Sequence, residues 1–94
     1  FRAYSAGNIR LLRGDFFALD RAQAGEPVAV FDRAALVALP PAMRQRYAAH
    51  LAALLAPGGR ILLVSFDYPQ EQMAGPPFSV PQAEIRALFG AAFD

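Results

Sequence analysis

Asp32 and Arg33 set an acid beside a base directly after the apolar run Val28-Ala29-Val30-Phe31 and ahead of Ala34-Ala35-Leu36-Val37-Ala38-Leu39-Pro40-Pro41. In open α/β sheets small ligands collect at such places, because strand ends and helix N-termini converge there. If Phe31 points into the core, strand alternation turns Asp32 away from it. The pair then forms either a surface ion pair, worth little, or part of a cleft wall, where Arg33 hydrogen-bonds or stacks on an anionic or aromatic ligand. Two further clusters have chemical potential. Gly14-Asp15-Phe16-Phe17 follows a candidate strand; its carboxylate can accept from the exocyclic amine of a purine while the rings cover the base. The plain alternative is an aspartate that caps a turn of helix, with both phenylalanines in the core. Asp67-Tyr68-Pro69 and Gly75-Pro76-Pro77-Phe78 form a loop stiffened by proline. It suits either a lid over a flat apolar substrate or a rigid surface loop with Phe78 tucked inward.

Other chemistries lack residues. The chain has no glycine-rich dinucleotide loop and no phosphate loop. With no cysteine, disulfides and thiolate metal sites are excluded, as suits a reducing compartment. The one histidine, His50, builds neither a metal cluster nor a nucleophile–base pair alone, and it reads as a surface or partly packed helix residue. The net charge is +1, and the largest basic groupings are the pairs Arg10/Arg13 and Arg44/Arg46, which do not make the basic stripe of a nucleic-acid interface. No apolar run approaches the ~20 residues of a membrane span.

The elements that must position these residues fit one small domain of 94 residues. Asn8 to Gly14 reads as a strand and Asp15 to Leu19 as a short turn of helix; Arg21 to Pro27 reads as a polar loop. Val28 to Phe31 has the unbroken apolarity of a strand covered on both faces. Pro40 and Pro41 suit the first turn of a helix over residues 41–55. Met43, Tyr47, Leu51, Leu54 and Leu55 make its apolar stripe, with Arg44, Gln45 and Arg46 facing elsewhere. Pro57-Gly58-Gly59 stops it, and Ile61 to Phe66 is a second apolar strand. The span from Val28 to Phe66 therefore predicts a right-handed parallel strand–helix–strand unit. A proline-rich loop over residues 67–77 leads to a last helix from Pro81, with Ile85, Leu88 and Phe89 on one face.

Taken together, Gly14-Asp15-Phe16-Phe17, Phe31-Asp32-Arg33-Ala34-Ala35-Leu36-Val37-Ala38-Leu39-Pro40, Met43-Arg44 with Arg46-Tyr47, and Gly75-Pro76-Pro77-Phe78-Ser79-Val80 stand in the order and spacing of thiopurine S-methyltransferases. The chain resembles the bacterial branch of that family from Asn8 to about Phe89. The resemblance implies a partial Rossmann-like class I methyltransferase fold of α/β class, with three parallel strands and flanking helices. These strands would be the third, fourth and fifth of the family's sheet. Two upstream strands separate the third from the fourth, so the Ile9 strand would have no hydrogen-bonding neighbour here. Residues 1–94 then read as the central-to-C-terminal part of a single methyltransferase domain whose N-terminal cofactor half is missing, with Phe1 and Asp94 as cuts through a longer protein.

The resemblance also implies methyl transfer from S-adenosylmethionine to a thiol, of thiopurine-like or selenium/tellurium type. Arg33 would be catalytic; Asp15, Phe16 and Arg33 would meet the cofactor, and Tyr68, Pro77 and Phe78 the acceptor. It implies no metal, no nucleic-acid or membrane partner, and a monomeric, cytoplasmic parent protein, the chain alone being inactive. The rival expectations are a class I methyltransferase of another acceptor and a non-catalytic α/β binding module that uses its apolar edges.

Overall fold

The computed structural model describes residues 1–93. Along the chain lie β1 (Arg2–Ala6), β2 (Ile9–Arg13), α1 (Arg21–Ala24), β3 (Ala29–Asp32), α2 (Pro41–Leu54), β4 (Arg60–Leu63) and α3 (Gln82–Phe89), with single 3-10 turns at Phe16–Ala18, Leu36–Ala38 and Gln70–Gln72.

The expectation of three parallel strands is corrected: the sheets are two separate pairs, and only β3–β4 is parallel. β1 and β2 form an antiparallel hairpin whose ladder closes at Ala6 opposite Ile9. The Ile9 strand thus has a partner, supplied by its own upstream neighbour. Gly7-Asn8 is the connection, and Gly7 takes φ 57°. A positive φ at the first of two loop residues matches the right-handed twist of the strands it joins. Backbone groups that would otherwise need water are satisfied by this nearest available strand.

β3 and β4 run in register from Ala29 opposite Arg60 to Asp32 opposite Leu63. The ladder continues as the Val64 N–H donates to the Asp32 carbonyl at 2.8 Å. α2 makes the crossover and covers one face, toward which Val30, Ile61 and Leu63 pack. The opposite face carries Phe31 and Leu62, each 66% exposed, continued by the exposed Val64 and Phe66. Two expectations therefore change. The unit is covered on one face among the described residues, and the phase of β3 is reversed, with Asp32 buried at 3% exposure and Phe31 outside.

Tyr47, Leu51, Leu54 and Leu55 are buried as the helical stripe predicts, with Ala48 beside them. Arg44, expected on another face, is buried too, at 3% exposure. The core joins α2 to Leu36, Val37, Val80 and Phe89. Leu36 and Val80 are almost entirely enclosed, and full burial of such a side chain contributes about 1.5–3 kcal/mol. The expected polar loop at Arg21–Pro27 holds a helical turn instead. The Asp20 carboxylate accepts from the Gln23 N–H, and the Gln23 side chain accepts from the Asp20 N–H, a reciprocal cap. Arg21 then reaches the far end of α2, where its Nε donates to the Ala53 carbonyl at 2.8 Å and its Nη2 to the Leu55 carbonyl at 3.2 Å. Among the described residues no helix is long and apolar enough to cross a membrane.

Candidate functional site

Asp32 is the last residue of β3, and its carboxylate faces the start of the next turn. Oδ1 accepts from the Ala35 N–H at 2.9 Å, and Oδ2 accepts from the Leu36 N–H at 3.2 Å and from the Tyr47 hydroxyl at 2.6 Å. This explains the reversed phase: a buried carboxylate is tolerated where hydrogen-bond donors replace its water. Burial, the bond to Asp32 and that residue's negative charge together push the pKa of the Tyr47 hydroxyl well above the ordinary tyrosine value. Tyr47 therefore remains a proton donor throughout the neutral range.

Arg33, next in the chain, is exposed. The surface-ion-pair alternative for Asp32 and Arg33 is not the observed one, because that carboxylate is committed to the backbone and to Tyr47. Among the described residues the salt bridges are Arg21–Glu26 and Arg44–Glu84, which leaves the Arg33 guanidinium available to a ligand.

Asp15 caps the 3-10 turn that follows β2, its Oδ1 accepting from the Phe17 N–H at 3.0 Å. The capping alternative is thus the observed one for that oxygen; among the described residues Oδ2 has no donor. Phe16 packs against Tyr47, with ring centroids 5.4 Å apart, and edge-on to His50 at 5.0 Å. Both phenylalanines are partly buried against the core. Arg46 lies over the Phe17 ring, 4.4 Å from its centroid. Tyr47 thus touches both regions: its ring meets Phe16, and its hydroxyl meets the turn that carries Arg33.

The proline loop closes on the same turn from another side. The Phe78 N–H donates to the Val37 carbonyl at 2.7 Å, and the Tyr68 hydroxyl donates to the Pro77 carbonyl at 2.6 Å. Gln70 braces the loop internally, donating to the Met73 carbonyl at 2.7 Å and accepting from the Ser79 N–H at 2.9 Å. Gly75 takes φ 84°, and a Cβ there would lie 2.6 Å from the Phe78 ring, so both the backbone conformation and the close ring call for glycine. Phe78 lies under the guanidinium of Arg44, 5.3 Å from the ring centroid. Arg44 in turn donates from Nε to the Leu39 carbonyl at 2.9 Å and from Nη1 to Glu84 at 2.8 Å.

Of the residues expected to form a site, Phe16 is tied to the Arg33 turn through Tyr47, and Phe78 through Val37. Arg33 itself makes no hydrogen bond to Asp15, Tyr68 or Phe78 among the described residues. Asp32, Tyr47 and Arg44, whose side chains bind these segments together, read in the sequence as a cleft or surface acid, a core stripe residue and a base facing away from the core. Their signal was nonetheless present, since a polar atom on an otherwise apolar face needs a partner. Two grooves lie elsewhere. One of about 800 Å³ runs past Leu55, Gly58, Arg60 and Phe89 at the N-terminal end of β4, and one of about 550 Å³ lies between α2 and α3. Ligands of open α/β sheets gather at the opposite, carboxyl ends of the strands, so the Arg33 turn remains the candidate. Among the described residues no group of three metal-ligating side chains comes together.

The family model described as thiopurine S-methyltransferase matches residues 1–94. A thiopurine S-methyltransferase of Pseudomonas paraeruginosa is 55% identical over 93 residues, covering 99% of this chain and 43% of the relative. That of Nitrosospira multiformis is 51% identical over 94 residues, covering 100% of this chain and 43% of the relative. That of Bordetella pertussis is 53% identical over 88 residues, covering 94% and 40%. The chain thus spans about two fifths of the length of these curated relatives. No solved structure matches it. With the family's pattern running the whole length of the chain, and its most specific segments forming the turn after β3 and the loop packed upon it, the chain belongs to the thiopurine S-methyltransferase family.

Proposed function

We propose that the protein containing this chain transfers a methyl group from S-adenosylmethionine to a thiol, selenol or related soft acceptor, and that residues 1–94 are the central-to-C-terminal part of its single methyltransferase domain. The observation that carries this reading is an always charged arginine, unpaired among the described residues, presented at a strand end by a rigid turn, in a chain about half identical to relatives of that name.

The described residues fit one end of that cofactor. The open oxygen of Asp15 can accept from an adenine amine, and the Phe16 ring stands beside it on the same turn. The remainder of the cofactor would be held by residues outside this chain. When bound, S-adenosylmethionine supplies an electrophilic methyl on a sulfonium, which an ionised sulfur takes in line. Arg33 favours that ionised sulfur: its guanidinium keeps its proton at all working pH values, and a fixed positive charge within a few ångströms lowers the pKa of a thiol. The loop of Tyr68, Pro77 and Phe78, bonded to the same turn through the Phe78 N–H and the Val37 carbonyl, would provide an apolar, braced wall for the acceptor. Such a wall excludes water and holds the acceptor at attack distance, and this positioning is the main demand of a reaction that needs neither a covalent nucleophile nor a metal.

The test is methyl transfer by the full-length protein with labelled S-adenosylmethionine and a panel of aryl thiols and selenols. Arg33→Ala is expected to lower kcat/KM about 100-fold, as loss of one charge-stabilising donor does elsewhere. Absence of transfer to every thiol and selenol overturns the reading. Residues 1–94 alone are expected to be inactive, and micromolar cofactor binding by the isolated chain in a calorimetric titration contradicts that part.

A further inference from the structure

We propose that Tyr47 and Asp32 form a positioning pair that sets where Arg33 meets the acceptor, and that Tyr47 couples this placement to the Phe16 turn at the cofactor end. The inference rests on the reading of Arg33 just given and adds to it the residues that act through Arg33.

Arg33 has no side-chain partner among the described residues, so its own contacts do not hold it. Its location is inherited from the turn between β3 and the Leu36–Ala38 segment. Four features fix that turn. The Asp32 carbonyl is in the β3–β4 ladder through the Val64 N–H. The Asp32 carboxylate takes the Ala35 and Leu36 N–H groups. Leu36 is wholly enclosed. The fourth is the Tyr47 hydroxyl, at 2.6 Å from Oδ2. It comes from another element, α2, and so refers the turn to the rigid helix rather than to itself. Without it, the carboxylate keeps only the Ala35 and Leu36 N–H groups of its own turn, and nothing outside that turn fixes its orientation. The Tyr47 ring also packs on Phe16, so the two strand ends, after β2 and after β3, share one reference point. Asp32 and Tyr47 are both buried and bonded to each other, so their effect on transfer passes through the turn that carries Arg33.

That indirectness makes the inference testable in the full-length protein. Tyr47→Phe removes one oxygen and keeps the ring against Phe16. It is expected to lower kcat/KM for an aryl thiol about tenfold. The acid limb of its pH profile should move toward the free thiol's own pKa, in the same direction as for Arg33→Ala. In an Arg33→Ala background the added Tyr47→Phe change is expected to cost less than twofold, since two residues acting through one group are not additive. Asp32→Asn keeps an acceptor for the backbone N–H groups and is expected to give the same non-additive pattern at smaller size, so poor folding of one variant leaves the other to decide. A general loss of folding would lower activity at every pH without moving the limb. If Arg33→Ala is strongly impaired while Tyr47→Phe is neutral, multiplies with it, or leaves the acid limb in place, the positioning role is overturned and the reading of Arg33 stands. If Arg33→Ala is itself unimpaired, both fall.

Discussion

The hairpin and the β3–α2–β4 unit solve the backbone's hydrogen-bonding problem equally well and the side-chain problem very differently. Every residue of β1 is exposed, and in β2 only Leu12 is partly covered. Ile9 and Leu11 are 73% and 62% exposed. The hairpin meets the rest of the molecule through Arg10, whose guanidinium donates to the Gln23 carbonyl, and through the turn that follows it. In the β3–α2–β4 unit a similar ladder is accompanied by a closed core of Leu36, Val37, Tyr47, Ala48 and Leu51. Pairing strands and burying side chains are thus separable, and stability belongs to the second. A lone two-stranded hairpin is marginal in water.

The sharpest way to break the comparison is a pair of truncations. Leu36→Ala is expected to cost about 2–5 kcal/mol in urea unfolding, the range for emptying a closed core site. Leu11→Ala on the hairpin is expected to stay within about 0.5 kcal/mol. Equal effects would mean that the hairpin face is covered. Next in size, Glu84→Ala leaves the buried Arg44 without its carboxylate. Because Glu84 is itself one-third exposed, the expected loss is about 1–3 kcal/mol in the same measurement, with the NMR ring-proton shifts of Phe78 reporting the disturbed contact.

A smaller effect separates the regions by pH. The folded state holds the Tyr47 proton to higher pH than the unfolded state does, so this stabilising contribution is complete below an unfolded tyrosine pKa of about 10 and is lost as pH rises above it. Unfolding midpoints at increasing alkalinity should fall for the natural chain and fall less for Tyr47→Phe. Gly7→Ala, which forces a side chain onto φ 57°, is expected to cost about 1 kcal/mol. By hydrogen exchange the loss should be confined to β1 and β2 amides, with β3 and β4 unchanged. Least of all, Glu26→Gln removes an exposed pair 3.8 Å apart and should change stability by less than about 0.5 kcal/mol.

What could be read in advance follows the same division. The β3–α2–β4 unit was legible because its apolar runs, paired prolines and terminal glycines all agree. Its phase was not. Phe31, Leu62, Val64 and Phe66 are as apolar as the residues they oppose, so alternation alone does not say which face meets α2. Asp32 turned inward because three donors wait there, and those donors are set by the next turn and by a residue fifteen positions away. β1 is not legible because Arg2-Ala3-Tyr4-Ser5-Ala6 has little apolar alternation, although Gly7-Asn8 ahead of Ile9 is a hairpin signal in its own right. The Asp20–Gln23 cap is equally visible, but Pro27 and Gly25 dominate the segment and give it the character of a loop. The charge of Arg44 points to an outside position; its burial depends on Glu84, forty residues later, which no local pattern reveals.

The reach of Arg21 to the Ala53 and Leu55 carbonyls has a consequence for how the chain tolerates change. α2 has no basic residue in its last turn, so its end is braced from outside, by a side chain that precedes β3. The Pro27 carbonyl accepts from the Ala56 N–H at 2.9 Å beside it. The stretch between Arg21 and Pro27 is consequently a strut cut to length rather than slack cord. Adding or deleting a residue there would unseat the rear of the helix, and the disturbance would travel along its axis to Tyr47 and the turn after β3 that its hydroxyl holds.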